Sequence, residues 1–527
     1  MMNHTGTGPH KEIIFLYGPP GSGKTTIGKH IAERLALPFI DLDHRIEELG
    51  GKSIPQIFAE QGESGFRNQE STLLRESSGT DRGVIALGGG TLLNPDNRGF
   101  VEELGSVVLL HATYQALLDR LNSSPVDRPL LFGDFNSRLS ALLSQRADHY
   151  DSFPLRIDVS KKSVEEISWE TQVALGMFRI PGMNNPYDVR VGQGLYQNAG
   201  RQLEARGLKG PVAIVSDEKV GPFYGGSVLS ALHQQGFVAN LLMLPAGEKT
   251  KNLGMLKRIW NFFLDNRLDR DSIALALGGG VVGDITGLAA ATYLRGIKWA
   301  YLPTSLLAMC DASLGGKTGI NLPNGKNQIG AFYPPSMVLA DTDTLSTLSN
   351  LEIHNGMAEV VKHGIIADPD LYQYCGSGLE RAYVNWDKVV RQAMAVKIRI
   401  IIEDPYESGM RAVLNLGHTL GHAIESATHY RTKHGFAISV GMVAAANLSE
   451  RIGLAEEGII SNIQTTLQTL GLPIKIPRHL NREKILAAMS YDKKRALGKV
   501  RLVLPVRIGE VRWGVEVDDL KSLMRET

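Results

Sequence analysis

The chain has 527 residues, 43% of them hydrophobic and 21% charged, with a formal net charge of +1. At about 150 residues per domain this length asks for roughly three to four domains. The composition excludes a disordered chain, and near-neutrality argues against a general nucleic-acid binder. Residues 1–175 carry 17 basic and 23 acidic side chains, the remainder 39 and 32, so the second part is the basic one, as suits anionic small substrates. Cys310 and Cys375 form no CxxC pair, which favours a reducing compartment. No apolar run reaches about 18 residues, and MMNHTGTGPHKE has no signal-peptide core. The expectation is a cytoplasmic protein with neither nucleic acid nor membrane as partner.

KEIIFLY, residues 11–17, reads as a buried strand, followed at once by GPPGSGKT (Gly18–Thr25) and the amphipathic run TIGKHIAERLAL. Strand, glycine-rich loop and helix is the context of a phosphate-binding loop. Its backbone N–H groups, from Gly21, Ser22, Gly23 and Thr26, turn around phosphate oxygens, and the helix N-terminus adds its positive end. Lys24 supplies a charge to the β- and γ-phosphates, and the Thr25 hydroxyl can ligate Mg²⁺. A second strand, LPFID, ends in DLD, where Asp41 and Asp43, two apart, share one face of an extended chain. One could face metal-bound water and the other an acceptor hydroxyl; a solvated strand end is the plainer alternative. A helical stretch follows, with Arg67 three residues before Glu70, which taken alone reads as a surface ion pair. The strand GVIALGGG ends in Gly88, Gly89 and Gly90, which allow close approach of a ligand or form a tight turn. Arg128 sits in the loop VDRPLL, where it could close over a nucleotide, and Arg146 in the helical SQRADHY.

The order GxxGSGKT, DLD, GFR, ALGGG, RPLL and QR-x3-Y resembles shikimate kinase over about residues 11–175. The resemblance implies a P-loop domain, a parallel sheet with helices on both faces, that phosphorylates the 3-hydroxyl of shikimate with ATP and Mg²⁺. Asp41 would stand near the metal with Thr25. Asp43, Arg67, the glycines 88–90 and Arg146 would hold shikimate, the arginines on its carboxylate, and Arg128 would be the lid arginine on ATP. Other small P-loop kinases, for gluconate or a nucleotide, and a non-catalytic ATP-sensing module remain open at this point.

Pro181, Gly182, Asn184, Asn185 and Pro186 cluster as linkers do, so a linker is expected over 176–188. An α/β domain is expected over 189–345 and an all-helical one over 346–527. In the first of these, PVAIVSD ends a strand at Asp217, and VANLLMLPAGEKTKN runs from a strand into Glu248 and Lys251. DSIALALGGGVVGDITG gives strand, turn and helix with Gly279, Gly280 and Asp284, a phosphate-binding βα turn or a close-packing one. Thr304 and Ser305 end the next strand. DASLGGKTGINLPNGKNQIG reads as a glycine- and asparagine-rich loop with Asp311, Lys317, Lys326 and Asn327, in which two lysines suit a phosphate. Glu359 and Lys362, three apart on a helix, read alone as a surface ion pair. LNLGHTLGHAIE places His418 and His422 at i, i+4, with His434 twelve residues on; the spacing alone makes both of the first two ligands of a Zn²⁺ ion, or else two ordinary helix histidines.

LGGGVVGD, TYLRG, PTSLLAM-x-DASLGGKTGIN, GKNQIGAFYPP, NGMAEVVK, LNLGHTLGHAIE, KHG and YDKK together resemble 3-dehydroquinate synthase over about residues 185–515. The resemblance implies a Rossmann-like NAD-binding domain, a helical metal- and substrate-binding domain, and a homodimer through this half. It implies Glu359, His418 and His434 as ligands of Zn²⁺ or Co²⁺, with His422 free for acid–base work. NAD would meet Asp217, Glu248, Lys251, Gly279, Gly280, Asp284, Thr304, Ser305, Lys317, Lys326 and Thr347. The substrate, 3-deoxy-D-arabino-heptulosonate 7-phosphate, would meet Arg295, Asp311, Lys317, Asn327, Lys362, Glu407, Arg411, Asn415, His422 and one of Lys493 and Lys494. The implied chemistry is transient oxidation at C5, β-elimination of phosphate, reduction and an internal aldol closure. A related polyol dehydrogenase of the glycerol-dehydrogenase type stays the rival, against which the lysines speak.

Overall fold

A computed structural model of the chain describes residues 11–123, 135–183, 185–323, 325–495, 500–517 and 520–524. It divides into two compact units, residues 1–179 and 180–527.

The first unit is built on the strands β1 (Glu12–Tyr17), β2 (Phe39–Asp41), β3 (Arg82–Ala86), β4 (Ser106–His111) and β5 (Arg156–Asp158), in the order β2-β3-β1-β4-β5. All neighbouring pairs are parallel. The central strand is apolar on both sides because both faces are covered. Ile13, Phe15 and Tyr17 enter one core, Ile14 and Leu16 the other, with Ile27, Ile31 and Leu35 of the helix Lys24–Leu35. The stretch read as one helical run is two helices, Leu42–Gly50 and Ile54–Ser77, the second kinked at Gly62, whose φ of 70° breaks the helical path.

β6 (Met177–Ile180) runs over the division of the chain, and the second unit carries β7 (Tyr187–Gly192), β8 (Val212–Asp217), β9 (Ala239–Leu244), β10 (Ile273–Gly278) and β11 (Lys298–Pro303). After these come β12 (Lys317–Leu322), β13 (Gly325–Phe332) and β14 (Met337–Asp341). Its main sheet runs β7-β14-β11-β10-β8-β9, parallel throughout. Residues 176–188, expected as a linker, therefore hold one strand and the start of another. β12 and β13 pair antiparallel, so the expected glycine-rich loop is a hairpin. The helix Gly280–Thr292 lies close on the sheet because it carries glycine there: a Cβ on Gly283 would stand 2.4 Å from the Tyr301 ring.

Past β14 the long helices Asn350–Ala367, Trp386–Glu403 and His434–Arg451 bury most of their length. The region is not all-helical. Strands β15 (Val500–Arg507) and β16 (Glu510–Val517) form an antiparallel hairpin, turned at Gly509 with φ 90°. Among the described residues no helix is long and apolar enough to cross a membrane.

Candidate active sites

In the first unit the loop after β1 turns into the helix at Gly23, with φ 87°. Gly18 passes so near β4 that a Cβ would lie 2.3 Å from the Leu110 carbonyl oxygen. The Lys24 ammonium donates to the Gly18 and Pro19 carbonyls at 2.9 and 3.1 Å, over the loop that would take phosphate. The Thr25 hydroxyl donates to Asp41 at 2.6 Å. Ser22 is buried and Thr26 exposed. Asp41 and Asp43 do not share a strand face as the sequence spacing implied. β2 ends at Asp41, whose carboxylate accepts from the His44 N–H and caps the helix that contains Asp43. Burial, then the charges of Glu70 and Asp41, push the Asp43 carboxyl up to about 6, against Lys24 and Arg67.

Arg67 is no surface pair. It donates to Glu70 at 2.7 Å, and Glu70 is fully buried, accepting also from the Thr91 hydroxyl at 2.5 Å. The glycine run makes room for this group. A Cβ on Gly90 would lie 2.4 Å from an Arg67 nitrogen; one on Gly88 would lie 2.3 Å from Glu70 and 2.9 Å from Asp43. Arg146, at the junction between two helices, donates to the Gly89 carbonyl at 2.8 Å. Arg128 lies outside the described residues. Glu70 is the site residue the sequence reading undervalued, because an i, i+3 pair looks the same whether buried or exposed.

In the second unit a cleft of about 1550 Å³ opens above the ends of β8, β10 and β11. Asp217, Glu248, Lys251, Gly279, Gly280, Asp284, Thr304, Ser305, Lys326, Asn327 and Thr347 line it, as do His422 and His434 from the helical side. The Gly279 carbonyl accepts from the Tyr301 hydroxyl at 2.9 Å, which fixes the turn that starts the helix Gly280–Thr292. Buried Lys251 pairs with Asp284 and with the Asn327 side-chain oxygen. Burial pushes the Asp284 carboxyl up to about 6 against Lys251. Lys317 does not line the cleft; its ammonium pairs with Glu407. Lys326 lies 4.2 Å from the centre of the Tyr430 ring. The two lysines do not converge on one anion.

The helical side brings charge into a closed interior. Glu359 and Lys362 are wholly buried and paired with each other, so the surface-pair reading does not hold. The ligand atoms of Glu359, His418 and His434 lie within 4.8 Å of one another. Nε2 of His434 stands 3.3 Å and Nε2 of His418 4.0 Å from the same Glu359 oxygen. Although burial opposes it, Lys362 and the two imidazoles hold Glu359 well below the usual carboxylate range. Burial would lower His434, yet Glu359 and Glu425 push it up to about 10. His422 is exposed, its ring centre 5.0 Å from that of His418. His422 and Glu425 form a second close set with His434, and Asp311, Glu359 and His363 a third.

Around this core, Asp311 accepts from buried Lys397 at 2.5 Å. Arg411 is buried, donates to the Pro405 carbonyl at 2.6 Å, and presses on Gly315, where a Cβ would lie 2.1 Å away. Arg295 and Asn415 are exposed, and the side chains of Lys493 and Lys494 lie outside the described residues. Lys397 and Glu425 were missed in the sequence. The signal for Lys397 was a lone lysine inside the apolar run AMAV-K-I; for Glu425 it was a third polar residue on the face of His418 and His422.

Known proteins match the two units separately. A family model of shikimate kinase matches residues 20–175. Models described as 3-dehydroquinate synthase N-terminal and C-terminal match residues 241–355 and 356–495. The chain is 43% identical over 348 residues to 3-dehydroquinate synthase of a Picosynechococcus species, 65% of this chain and 93% of that protein. It is 43% identical over 336 residues to that of a Synechococcus species, 62% and 91%. Among solved structures, 2-deoxy-scyllo-inosose synthase complexed with carbaglucose-6-phosphate, NAD⁺ and Co²⁺ is similar at TM-score 0.61 and 26% identity, over 66% of this chain and 98% of that one.

Proposed function

We propose how the chemistry is shared out in this chain, which belongs to the 3-dehydroquinate synthase family and carries a shikimate kinase segment ahead of it. It is a bifunctional enzyme of the shikimate pathway. One activity phosphorylates shikimate with ATP; the other converts 3-deoxy-D-arabino-heptulosonate 7-phosphate to 3-dehydroquinate and phosphate.

In the kinase segment the Gly21–Thr26 loop and Lys24 take the ATP phosphates, and Thr25 with Asp41 holds Mg²⁺. Their hydrogen bond already brings the two together. Arg67 and Arg146 receive the shikimate carboxylate, and Asp43 accepts the proton of its hydroxyl. Arg128 closes over the nucleotide. In the synthase unit Asp217, Glu248, Lys251, Asp284, Thr304, Ser305 and Thr347 hold NAD, with its pyrophosphate at the Gly279–Gly280 turn. NAD, when bound, supplies a hydride acceptor that is regenerated in each turnover. Glu359, His418 and His434 fit Zn²⁺ or Co²⁺: the ligand atoms of one carboxylate and two imidazoles lie within 4.8 Å of one another, and a set of three protein ligands would leave room for a substrate oxygen. The ion, when bound, supplies Lewis-acid polarisation of substrate oxygens. His422, open to the cleft, moves a proton on the substrate, while Lys362, Arg411 and Lys397 balance its negative charge. Asp311 orients Lys397.

The observation that carries this reading is the meeting of Glu359, His418 and His434 beside a cleft lined by the residues expected at NAD. We further assign a homodimer through the synthase unit. We place the enzyme in the cytoplasm, where two buried free thiols stay reduced. The test is an assay of the purified chain with Zn²⁺ and catalytic NAD. Phosphate release from the heptulosonate phosphate without net NADH is expected, with shikimate phosphorylation in the same preparation. Stoichiometric NADH overturns the synthase reading, and sedimentation of the synthase unit as a monomer overturns the dimer.

A further inference from the structure

The helix His418–Ala427 sets His418, His422 and Glu425 at i, i+4 and i+7, on one face. The chain then doubles back. His429 and Tyr430 take left-handed backbone conformations, φ 51° and 60°, and the Tyr430 N–H donates to the Glu425 carbonyl. His434 thereby becomes the first residue of the next helix, facing Glu425 across the turn.

His434 lies between two carboxylates. Its Nε2 is 3.3 Å from Glu359, and its Nδ1 is 3.2 Å from Glu425, which is only 8% exposed as a side chain. An imidazole that ligates a metal is neutral, with one lone pair for the ion and one N–H, so His434 cannot serve both donor sets it belongs to, Glu359 with His418 and His422 with Glu425. His418 decides between them. Its Nδ1 stands 3.1 Å from the Leu416 carbonyl, and its Nε2 turns to the same Glu359 oxygen that His434 faces. Both imidazoles thus have Nδ1 on an oxygen acceptor and Nε2 aimed at one point. We infer that Glu425 is a positioning residue of the metal centre, holding the Nδ1–H of His434 so that Nε2 is offered to the ion. This rests on the metal reading of Glu359, His418 and His434.

The experiment is a chelator-competition titration of the full chain with Zn²⁺ alone, run on the parent, Glu425→Gln, Glu425→Ala and His418→Ala, with metal stoichiometry and the apo unfolding midpoint measured on each. Glu425→Gln, of the same shape, is expected to bind Zn²⁺ roughly tenfold more weakly, and Glu425→Ala up to about 100-fold. One ion per chain is expected in both, with an apo midpoint for Glu425→Gln equal to the parent's. Parent-like affinity in Glu425→Gln overturns the inference, whatever its midpoint. Two ions in the parent and one in Glu425→Ala also overturn it, since Glu425 would then be a ligand. His418→Ala separates the two claims. If it keeps the ion, the metal reading fails; if it loses the ion while Glu425→Gln does not weaken it, only the positioning role fails.

Discussion

Asp43 in the kinase unit and Glu359 in the synthase unit are carboxyl groups withdrawn from water, and burial pushes both toward the neutral form. They end on opposite sides of their ordinary range. Asp43 has Glu70 and Asp41 beside it, and like charge adds to burial. Glu359 has Lys362, His418 and His434, and opposite charge overrides burial. The neighbours set the sign, and the sign suits the work proposed for each. A group that accepts a hydroxyl proton needs an affinity for protons within reach of neutral pH, whereas a metal ligand must stay ionised.

The sharpest way to break this contrast is to remove the metals. After chelation both activities are expected to stop. Mg²⁺ should restore shikimate phosphorylation alone, since a Thr/Asp oxygen pair suits it. Zn²⁺ or Co²⁺ should restore the synthase alone, through a set containing two imidazoles. Parallel assays of both activities on one metal-free sample check this; synthase activity without added Zn²⁺ or Co²⁺ in a verified metal-free chain would sink the ligand assignment. Lys24→Ala comes next. Loss of its charge from the phosphate loop is expected to lower shikimate phosphorylation roughly 10³-fold and leave phosphate release by the synthase unchanged. An equal fall in both would mean the two units do not work separately.

The two units were unequally legible in the sequence. The kinase site is made of short contiguous runs, Gly18–Thr25 and Gly88–Gly90, so local pattern carried it. What the pattern could not give was the depth of Arg67 and Glu70, because helical spacing fixes a face and not what covers it. The bend between Asp41 and Asp43 was likewise misjudged, since a period of two holds only while the chain stays extended. The proposed metal centre joins residues 359, 418 and 434 across three helices. Spacing favoured His418 with His422, and only resemblance pointed to His434. Lys397 is distant in sequence from its partner Asp311, and Glu425 meets His434 only because the chain doubles back between them, so neither carried a local signal of its pairing. The C-terminal hairpin lies inside the span 346–527 expected as all-helical, where the long helices that precede it dominate the pattern.

His422 sharpens the contrast within the synthase unit itself. It lies one turn from His418 but is exposed to the cleft. His422→Ala is therefore expected to keep one metal ion per chain while its turnover falls roughly 10²-fold, the scale of a lost proton transfer. Metal analysis beside kcat decides it, and loss of the ion in His422→Ala would move this histidine into the ligand set.

The smallest effect tests Asp43 directly. Its folded-state affinity for protons is raised, so the ionised form predominates only above about pH 6. The sign follows: kcat/KM for shikimate should be flat above that pH and fall about tenfold per unit below it. Removing one like charge should shift the limb. In Glu70→Gln the Asp43 carboxyl loses the largest charge that raises it after burial itself, and the fall should begin at lower pH. Arg67 loses its anchor in the same variant, so KM for shikimate should rise at every pH while the limb moves to acid. The two effects are separable, because one changes the height of the profile and the other its position. A limb that stays in place in Glu70→Gln would mean that the charge of Glu70 does not raise Asp43, and that the contrast with Glu359 does not rest on that neighbour.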